Sequence, residues 1–212
     1  ASPVRRASTS LRGMPGQSAG LPCDHALPLF LLCTVLLPGA SRGLRLCERR
    51  YLDMISDCGR QGRGFGVCMI LQGNEAGVPA VPAAFGTEAV IEDFGTGDDG
   101  LLNLQVRGAR RFHVERTRVR DNGLVVADVS WRDPDPVAEL QPQHALLGDV
   151  LRRIFDQLGD ADARIPEQRF DDASWVGWRL AEILPLTLPQ RQRLLQEDDP
   201  DRRLDELLAL LS

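Results

Sequence analysis

Few side chains of this sequence have a type and spacing that would support catalysis. The three histidines, His25, His113 and His144, are far apart along the chain and lie in unlike contexts, which favours surface positions. A Ser/His/Asp site can assemble from distant residues, but no Gly-x-Ser-x-Gly motif or similar nucleophile turn occurs. The carboxylates of Asp98 and Asp99 lie in a turn pattern, where solvation is favoured over general acid/base catalysis. We therefore predict no catalytic residues.

The cysteines and the absence of lysine also argue against a metal site and against lysine-dependent catalysis. The sequence has five cysteines but no Cys-x-x-Cys pair, and zinc sites usually show closely spaced ligand pairs. The nearest approach is Cys23 with His25, which has no second pair downstream. All 25 strongly basic side chains are arginine, so reactions that need a lysine amine are excluded. We predict no metal and no cofactor. Reduced, mostly buried thiols of a cytoplasmic protein are expected at Cys23, Cys33, Cys47, Cys58 and Cys68.

The distribution of charge argues against nucleic acid as a partner. Residues 26–133 carry as many arginines as acidic residues, whereas residues 134–212 hold nine arginines against sixteen acidic residues. A nucleic-acid-binding protein needs a basic face that displaces counterions from phosphates. Since the net charge is −5 and the second half is acidic, we expect neither nucleic acid nor a membrane as the partner.

The elements that must position any functional side chains fall into two groups, the first of which is rich in strands. From residue 26 to residue 133, short segments with hydrophobic alternation are separated by turn residues. Asn122 followed by Gly123 is a strong hairpin signal, because this dipeptide accepts positive φ. About five to seven strands at this spacing indicate a small barrel or sandwich. We expect strands at Gly64–Leu71, Thr87–Phe94, Leu102–Val106, Phe112–Val114 and Leu124–Trp131.

The apolar run at residues 27–40 allows two interpretations. Arginines precede it, as in a secretory signal, and it is too short for a transmembrane helix, which needs about 20 residues. However, Pro28 interrupts the run at its start, and the apolar pattern continues beyond Pro38 and Gly39 as far as Tyr51, interleaved with charged residues. We therefore favour a buried strand, a turn and a second extended segment.

The second group of elements is helical. The sequence Asp133-Pro134-Asp135-Pro136 marks the boundary, because proline neither donates to a sheet nor continues a helix. Beyond it the apolar residues recur at helical spacing, with capping residues and prolines at the expected ends. The four predicted helices are residues 137–158, a segment capped by Asp172 or Ser174, a segment opened by Pro189, and a last one that starts at Asp199 and Pro200.

Short sequences in this order resemble the N-terminal domain of Lon proteases. They include LPLF at 27–30, GFGV at 64–67, the segment from Gly108 to Phe112, and WRLAEILPLTLPQRQRLLQ at 178–196. The ordered set, which spans about residues 26–211, carries the resemblance. The sequence departs from the family at Leu31, Cys33 and Cys47-Glu48-Arg49, where the family usually has Pro, Gly and Phe-Glu-Pro.

This resemblance implies an α+β fold, in which a PUA-like antiparallel β pseudo-barrel is followed by a C-terminal helical subdomain. Residues 1–25 are then a flexible N-terminal extension, 26–133 the β subdomain and 134–212 the helical bundle subdomain. It also implies a non-catalytic module that binds unfolded or partner polypeptides in protein quality control. Because the chain has no lysine, it supplies neither the Gly-Lys-Ser/Thr of a P-loop nor the Ser-Lys dyad of a Lon peptidase.

Four residues are candidates for contact with a polypeptide: Glu48, Arg50, Tyr51 and Phe65. For the first three, a structural ion pair beside a core tyrosine is the alternative to a partner-contacting loop, and it is favoured. The partner is expected to be a polypeptide, a protease or a chaperone, with self-association as a further possibility. RNA is the alternative partner, because PUA-like folds also occur in RNA-modifying proteins.

The binding surface is expected between the two subdomains. Each half has apolar positions that it cannot bury alone, so the halves should dock and leave a groove. Trp175 and Trp178 lie three residues apart on one helical side, where packing against the β subdomain is favoured over an exposed aromatic patch. The acidic second half would favour basic segments of the client.

Overall fold

The computed structural model describes residues 26–78, 80–159 and 165–212. The predicted flexible extension at 1–25, with Cys23 and His25, lies outside these residues. The described strands are β1 (Leu27–Leu32), β2 (Ser41–Leu46), β3 (Phe65–Gln72), β4 (Val81–Thr96), β5 (Leu102–Val119) and β6 (Val125–Trp131). The helices are α1 (Arg49–Gln61), α2 (Ala145–Leu158), α3 (Ala173–Ile183), α4 (Leu188–Gln196) and α5 (Pro200–Leu211), with 3-10 helices at Pro142–His144 and Glu167–Asp171.

The six strands form one sheet that closes on itself. Its order is β2-β5-β4-β3-β1-β6, and β5 pairs with β6 as well, which completes a ring of five strands with β2 added outside. The long β5 makes this closure possible, because its first half pairs with β2 and its second half pairs with β6. The α+β class and the pseudo-barrel predicted above are confirmed. One pairing differs from the antiparallel prediction, since β1 and β3 run parallel.

The helix α1 was not anticipated in the strand-rich half. It connects β2 to β3, and a parallel pairing such as β1–β3 requires a crossover of this kind. Its buried residues include Tyr51, Met54 and Cys58, which share one helical face. Gly62 ends the helix in the left-handed conformation and donates its N–H to the Cys58 carbonyl. The N-terminus has no side-chain cap, so the usual start signal is missing from the sequence.

The interior of the barrel is filled by a small apolar cluster around Phe112. This ring is fully buried among residues of β1, β3 and β6, including Leu29 and Cys68. Gly66 and Gly86 face it from β3 and β4, and a β-carbon at either would come within 2.7 and 2.6 Å of the ring. The two glycines therefore make the space for one aromatic ring, which explains physically why the second glycine of GFGV, Gly66, and Gly86 carry no side chain.

A second, larger core joins the outer face of the barrel to the helices. It contains Val106 of β5 together with Leu147, Leu180 and Leu204 of the helical half, all fully buried. The four helices predicted beyond residue 136 are present as α2 to α5, but the first begins at Ala145 and not at residue 137, after a non-helical segment and a 3-10 helix. Their caps are Asp172, Thr187 and Asp199 for α3, α4 and α5. No helix of the described segments is long and apolar enough to cross a membrane.

The cysteine environments lead to a testable difference in reactivity. Cys33 and Cys47 are exposed, whereas Cys58 and Cys68 are buried, so the expectation of buried thiols holds for two of the four described cysteines. Burial raises the pKa of the Cys68 thiol to about 12, and burial followed by the charge of Asp57 raises the pKa of Cys58. Because only the thiolate attacks a disulfide reagent, a Cys23→Ser protein at pH 8 should expose two fast thiols to Ellman's reagent.

Cys58 and Cys68 should react only after denaturation. Four fast thiols in the native Cys23→Ser protein at pH 8 would contradict the burial described above.

The raised pKa values of Cys58 and Cys68 also predict how the free energy of unfolding depends on pH. Their contribution is complete below the unfolded thiol pKa of about 8.5 and declines at higher pH, because the thiols of the unfolded state ionise first.

Candidate functional site: the cleft between barrel and helices

An open cleft with a volume of about 580 Å³ separates the barrel from the helical subdomain. One side comes from the turn after β1 and from β5, the floor from the linker after β6, and the other side from the segment that leads into α3. It is lined by Pro38, Gly39, Arg107, Ala109, Arg110, Arg111, Arg132, Asp133, Pro134, Asp135, Ile165, Pro166, Arg169, Asp172, Ser174, Trp175, Trp178 and Arg179.

The floor of the cleft is fixed by a buried charge cluster, which we call the Asp135 cluster: Arg111, Asp135, Trp178 and Arg203. Asp135 accepts hydrogen bonds from Trp178 Nε1 at 2.6 Å and from Arg203 Nη1 at 3.1 Å. Arg111 Nη2 donates to the same carboxylate at 3.3 Å. One linker carboxylate therefore joins β5, α3 and α5, which fixes the angle between the two subdomains.

Burial of the two guanidinium groups in the Asp135 cluster carries a desolvation cost, which Asp135 and, for Arg111, the Asp198 carboxylate 3.0 Å away only partly offset. Burial lowers the pKa of Arg203 to about 10, against the raising effect of Asp135. Burial likewise lowers the pKa of Arg111. Arg203 stays protonated at neutral pH, because a pKa of about 10 lies well above it. Arg203 lies 3.5 Å from the centroid of the Trp178 ring and donates to the Glu197 carbonyl at 2.7 Å, so its charge is held by aromatic and backbone partners as well.

A second contact joins the two sides of the cleft. Arg179 of α3 donates to the carbonyls of Pro38 at 2.8 Å and Gly39 at 3.3 Å, in the turn that precedes β2. Its pKa is lowered by burial, and the neighbouring Glu182 opposes that effect. Because these acceptors are main-chain atoms, the contact depends on the path of the turn.

The helical side of the cleft is aromatic. Trp175 is partly exposed, stacks on Phe155 with ring centroids 6.1 Å apart, and meets Phe170 edge to face at 5.2 Å. Both tryptophans were predicted to pack against the β subdomain. Trp178 is buried in the Asp135 cluster, whereas Trp175 packs on aromatic rings of the helical half and stays partly exposed in the cleft.

Arginine is the commonest residue in the lining. Six arginines face three aspartates there, although the helical half as a whole is acidic. Several of these arginines are contributed by the barrel and the linker, so the net charge of a half does not determine the charge of the cleft. The expectation of basic client segments followed the overall charge of the helical half, and the local lining has the opposite sign.

The four predicted contact residues lie elsewhere, and none of them lines the cleft. Tyr51 is only 6% exposed and Phe65 is fully buried; both rings pack edge to face on Phe30, at 4.4 and 6.2 Å. Burial, the largest effect, raises the pKa of Tyr51. Arg50 is also buried and lies 3.0 Å from the Glu48 carboxylate.

Arg50 also holds two loops together. It donates to the carbonyls of Gly123 at 3.0 Å and Glu75 at 3.4 Å, which belong to the β5–β6 turn and the β3–β4 loop. This arrangement matches the structural alternative of an ion pair beside a core tyrosine. A role for Glu48 and its neighbours in polypeptide binding stays a prediction.

The remaining titratable groups form no metal centre in the described part of the chain, where no group of three or more potential ligands lies together. His113 is partly exposed and contacts Glu115 at 2.8 Å. His144 is fully buried and lies 2.6 Å from the Asp205 carboxylate, so the expectation of a surface position was wrong for this residue. The sequence has no local signal of this pair, because His144 ends the 3-10 helix before α2 and Asp205 lies 61 residues later, on α5.

Comparisons with known proteins agree on one family. The family model described as the ATP-dependent protease La (LON) substrate-binding domain matches residues 26–212. A Lon N-terminal domain protein from Xanthomonas campestris is 57% identical, with a TM-score of 0.76, and the match covers 87% of this chain and 98% of that chain. The N-terminal domain of a Mycobacterium avium complex Lon protease shares the fold at 19% identity and a TM-score of 0.63, over 87% of this chain and 97% of that one. A search of curated protein sequences found no match.

Proposed function

Because the chain belongs to the family of LON substrate-binding domains, we propose that it is a non-catalytic module that binds unfolded or partner polypeptides, and that the cleft is its binding surface. The observation that carries this proposal is the partly exposed Trp175, which stands in a concave site between two rigidly joined subdomains. Clefts of a few hundred Å³ at such junctions, with aromatic and a few polar groups, are the usual form of a binding site.

The cleft is suited to an extended peptide segment for two physical reasons. Its helical side presents the partly exposed ring of Trp175, which stacks on Phe155 and can bury apolar side chains of a client. Its two walls are held by the Asp135 cluster and by Arg179, so little conformational freedom would be lost on binding. A preformed binding site of this kind needs no catalytic residues, which fits a chain without lysine and without a recognisable catalytic motif.

Replacing Trp175 with alanine tests this proposal. We expect the affinity for a short, unfolded, uncharged peptide containing leucine and phenylalanine to fall about tenfold or more, because aromatic residues in concave sites carry much of the binding energy. The measurement is fluorescence anisotropy of the labelled peptide, with circular dichroism and thermal unfolding to establish that the variant is folded.

The matched control is Phe94→Ala. Phe94 is 74% exposed, at the far end of β4, and does not line the cleft. If Phe94→Ala weakened peptide binding as much as Trp175→Ala did, the binding surface would not be the cleft. RNA is the other partner class, and a single-stranded RNA that bound more tightly than the peptide would reject the polypeptide proposal.

We further propose a cytoplasmic location and a role in protein quality control, alongside a protease or chaperone. Self-association belongs to the same proposal, and size-exclusion chromatography with light scattering measures it directly. A membrane is not expected among the partners.

A further inference from the structure

We propose that the cleft selects acidic segments of its polypeptide partner, with the guanidinium groups of Arg110, Arg132 and Arg169 binding the client carboxylates. This inference rests on the proposed function and adds the chemical class of the bound segment. The three arginines stand on both sides of the cleft, since two come from β5 and the end of the barrel and the third from the segment before α3.

Arg110 has guanidinium donor nitrogens that no described residue accepts from. Its Nε donates to Glu88 at 3.3 Å, and its guanidinium lies 4.2 Å from the centroid of the Trp131 ring. Neither of its terminal nitrogens has a hydrogen-bond partner among the described residues, and half of the side chain is exposed, at 53%. The stacking on Trp131 holds the guanidinium plane in place while its outer edge stays open to a ligand.

Arg132 and Arg169 extend this open set of donors across the cleft. Arg132 donates through Nε and Nη2 to Asp198, which leaves Nη1 without a partner in the described segments. Arg169 is exposed on the opposite side, and no carboxylate of the described residues pairs with it. A segment lying in the cleft would therefore meet guanidinium donors on both sides.

Of the three aspartates in the lining, two already have partners among the described residues and only one is free to neutralise the arginines. The Asp135 carboxylate is occupied by the Arg111 and Arg203 guanidinium groups. Asp172 is the N-cap of α3 and accepts from the backbone N–H groups of residues 174 and 175. Asp133 is exposed, and no described residue pairs with it. Three arginines with open donors thus face one open aspartate.

Carboxylate is the ligand chemistry that best fits these donors. The planar guanidinium fork binds a carboxylate through two parallel hydrogen bonds, which gives direction as well as attraction. The neighbouring aromatic wall at Trp175 accommodates apolar residues beside the acidic ones. An acidic segment interspersed with apolar residues satisfies both features of the cleft.

The experiment compares three labelled peptides of equal length and equal apolar content, which carry glutamate, glutamine or lysine at the same positions. For the native sequence at low salt we expect the glutamate peptide to bind about tenfold more tightly than the glutamine peptide, from a few partly solvated ion pairs. The lysine peptide should bind most weakly, and added salt should reduce the preference.

The preference should disappear in the double variant Arg110→Gln/Arg132→Gln and be reduced in Arg169→Gln, with affinity for the glutamine peptide unchanged. Arg116→Gln is the matched control, because Arg116 is an exposed arginine of the same strand, paired with Asp128 and outside the cleft lining. The control should keep the full preference for glutamate.

Two outcomes separate this inference from the proposed function. Equal binding of the three peptides, with Trp175→Ala still weakening all of them, overturns the acidic selectivity and keeps the polypeptide-binding function. Failure of every peptide to bind overturns both. Tighter binding of a single-stranded RNA than of the glutamate peptide, dependent on the same arginines, also overturns the inference, since the preferred anion would then be phosphate.

Discussion

Replacing Asp135 with alanine is expected to lower the free energy of unfolding by about 3–5 kcal/mol, because Arg203 loses its one carboxylate partner among the described residues and Arg111 keeps only Asp198, 3.0 Å away. Arg203 is fully buried and Arg111 nearly so, and both donate to this carboxylate. Trp178 Nε1 loses its acceptor at the same time. Asp135→Asn should be almost as costly, since the amide keeps the shape but not the charge. Urea unfolding followed by circular dichroism measures the change.

Asp133→Ala is the control for this prediction. Asp133 lies two residues earlier in the same linker and is exposed, so its removal should change the free energy of unfolding by no more than about 0.5 kcal/mol. Similar losses for the two variants would mean that the linker, and not the Asp135 cluster, governs stability. The single guanidinium replacement Arg203→Met should be milder than Asp135→Ala, because it removes a charge that is costly to bury.

Gly108→Ala is expected to cost about 3 kcal/mol or more of folding free energy, because the added methyl group collides with backbone instead of with a movable side chain. A β-carbon at Gly108 would fall well inside the contact distance of the Leu37 carbonyl oxygen. The turn it would displace is bonded to Gly108 in both directions: the N–H of Gly39 donates to Gly108 at 2.8 Å, and Gly108 donates to Ala40 at 2.9 Å.

The consequence of Gly108→Ala should extend to the cleft. The displaced turn includes Pro38 and Gly39, whose carbonyls accept from Arg179 of α3, so the Arg179 contact between the helical side and the barrel would be lost. We expect the thermal midpoint and the peptide affinity to fall together. Gly43→Ala on the adjacent strand is the control, because its β-carbon would make only an ordinary contact of 3.6 Å with Gln105. A Gly108→Ala protein that kept both the native thermal midpoint and the native peptide affinity would contradict this account.

The contacts of Asp135 and Arg179 hold the cleft in one shape. The Asp135 cluster and Arg179 connect the linker, the turn before β2 and two helices, so the width of the cleft is set by buried polar contacts at its floor and edge. In the proposed function, this preformed cleft would present one partly exposed tryptophan and several arginines with open donors to a polypeptide segment.

The sequence predicted much of the fold because its signals were local. The Asn122-Gly123 turn, the cap at Asp172 and the proline-opened helices appear where expected, since each depends on residues within one turn of the chain. The helix α1 was missed for the complementary reason. Its N-terminus has no side-chain cap, and its buried face includes Arg50, whose partners lie in loops distant in sequence.

The candidate site could be predicted only in outline. The sequence by itself determined the family resemblance, the change from strands to helices near Asp133, and the expectation of a groove between the two halves. The sign of charge in that groove and the identity of its floor depend on tertiary structure. Asp135, Arg111 and Arg203 are far apart in sequence, and the closure of the barrel and the docking of α5 bring them together. Burial also decided which aromatic residues remain accessible: Tyr51 and Phe65 are enclosed by long-range packing, whereas Trp175 stays partly exposed.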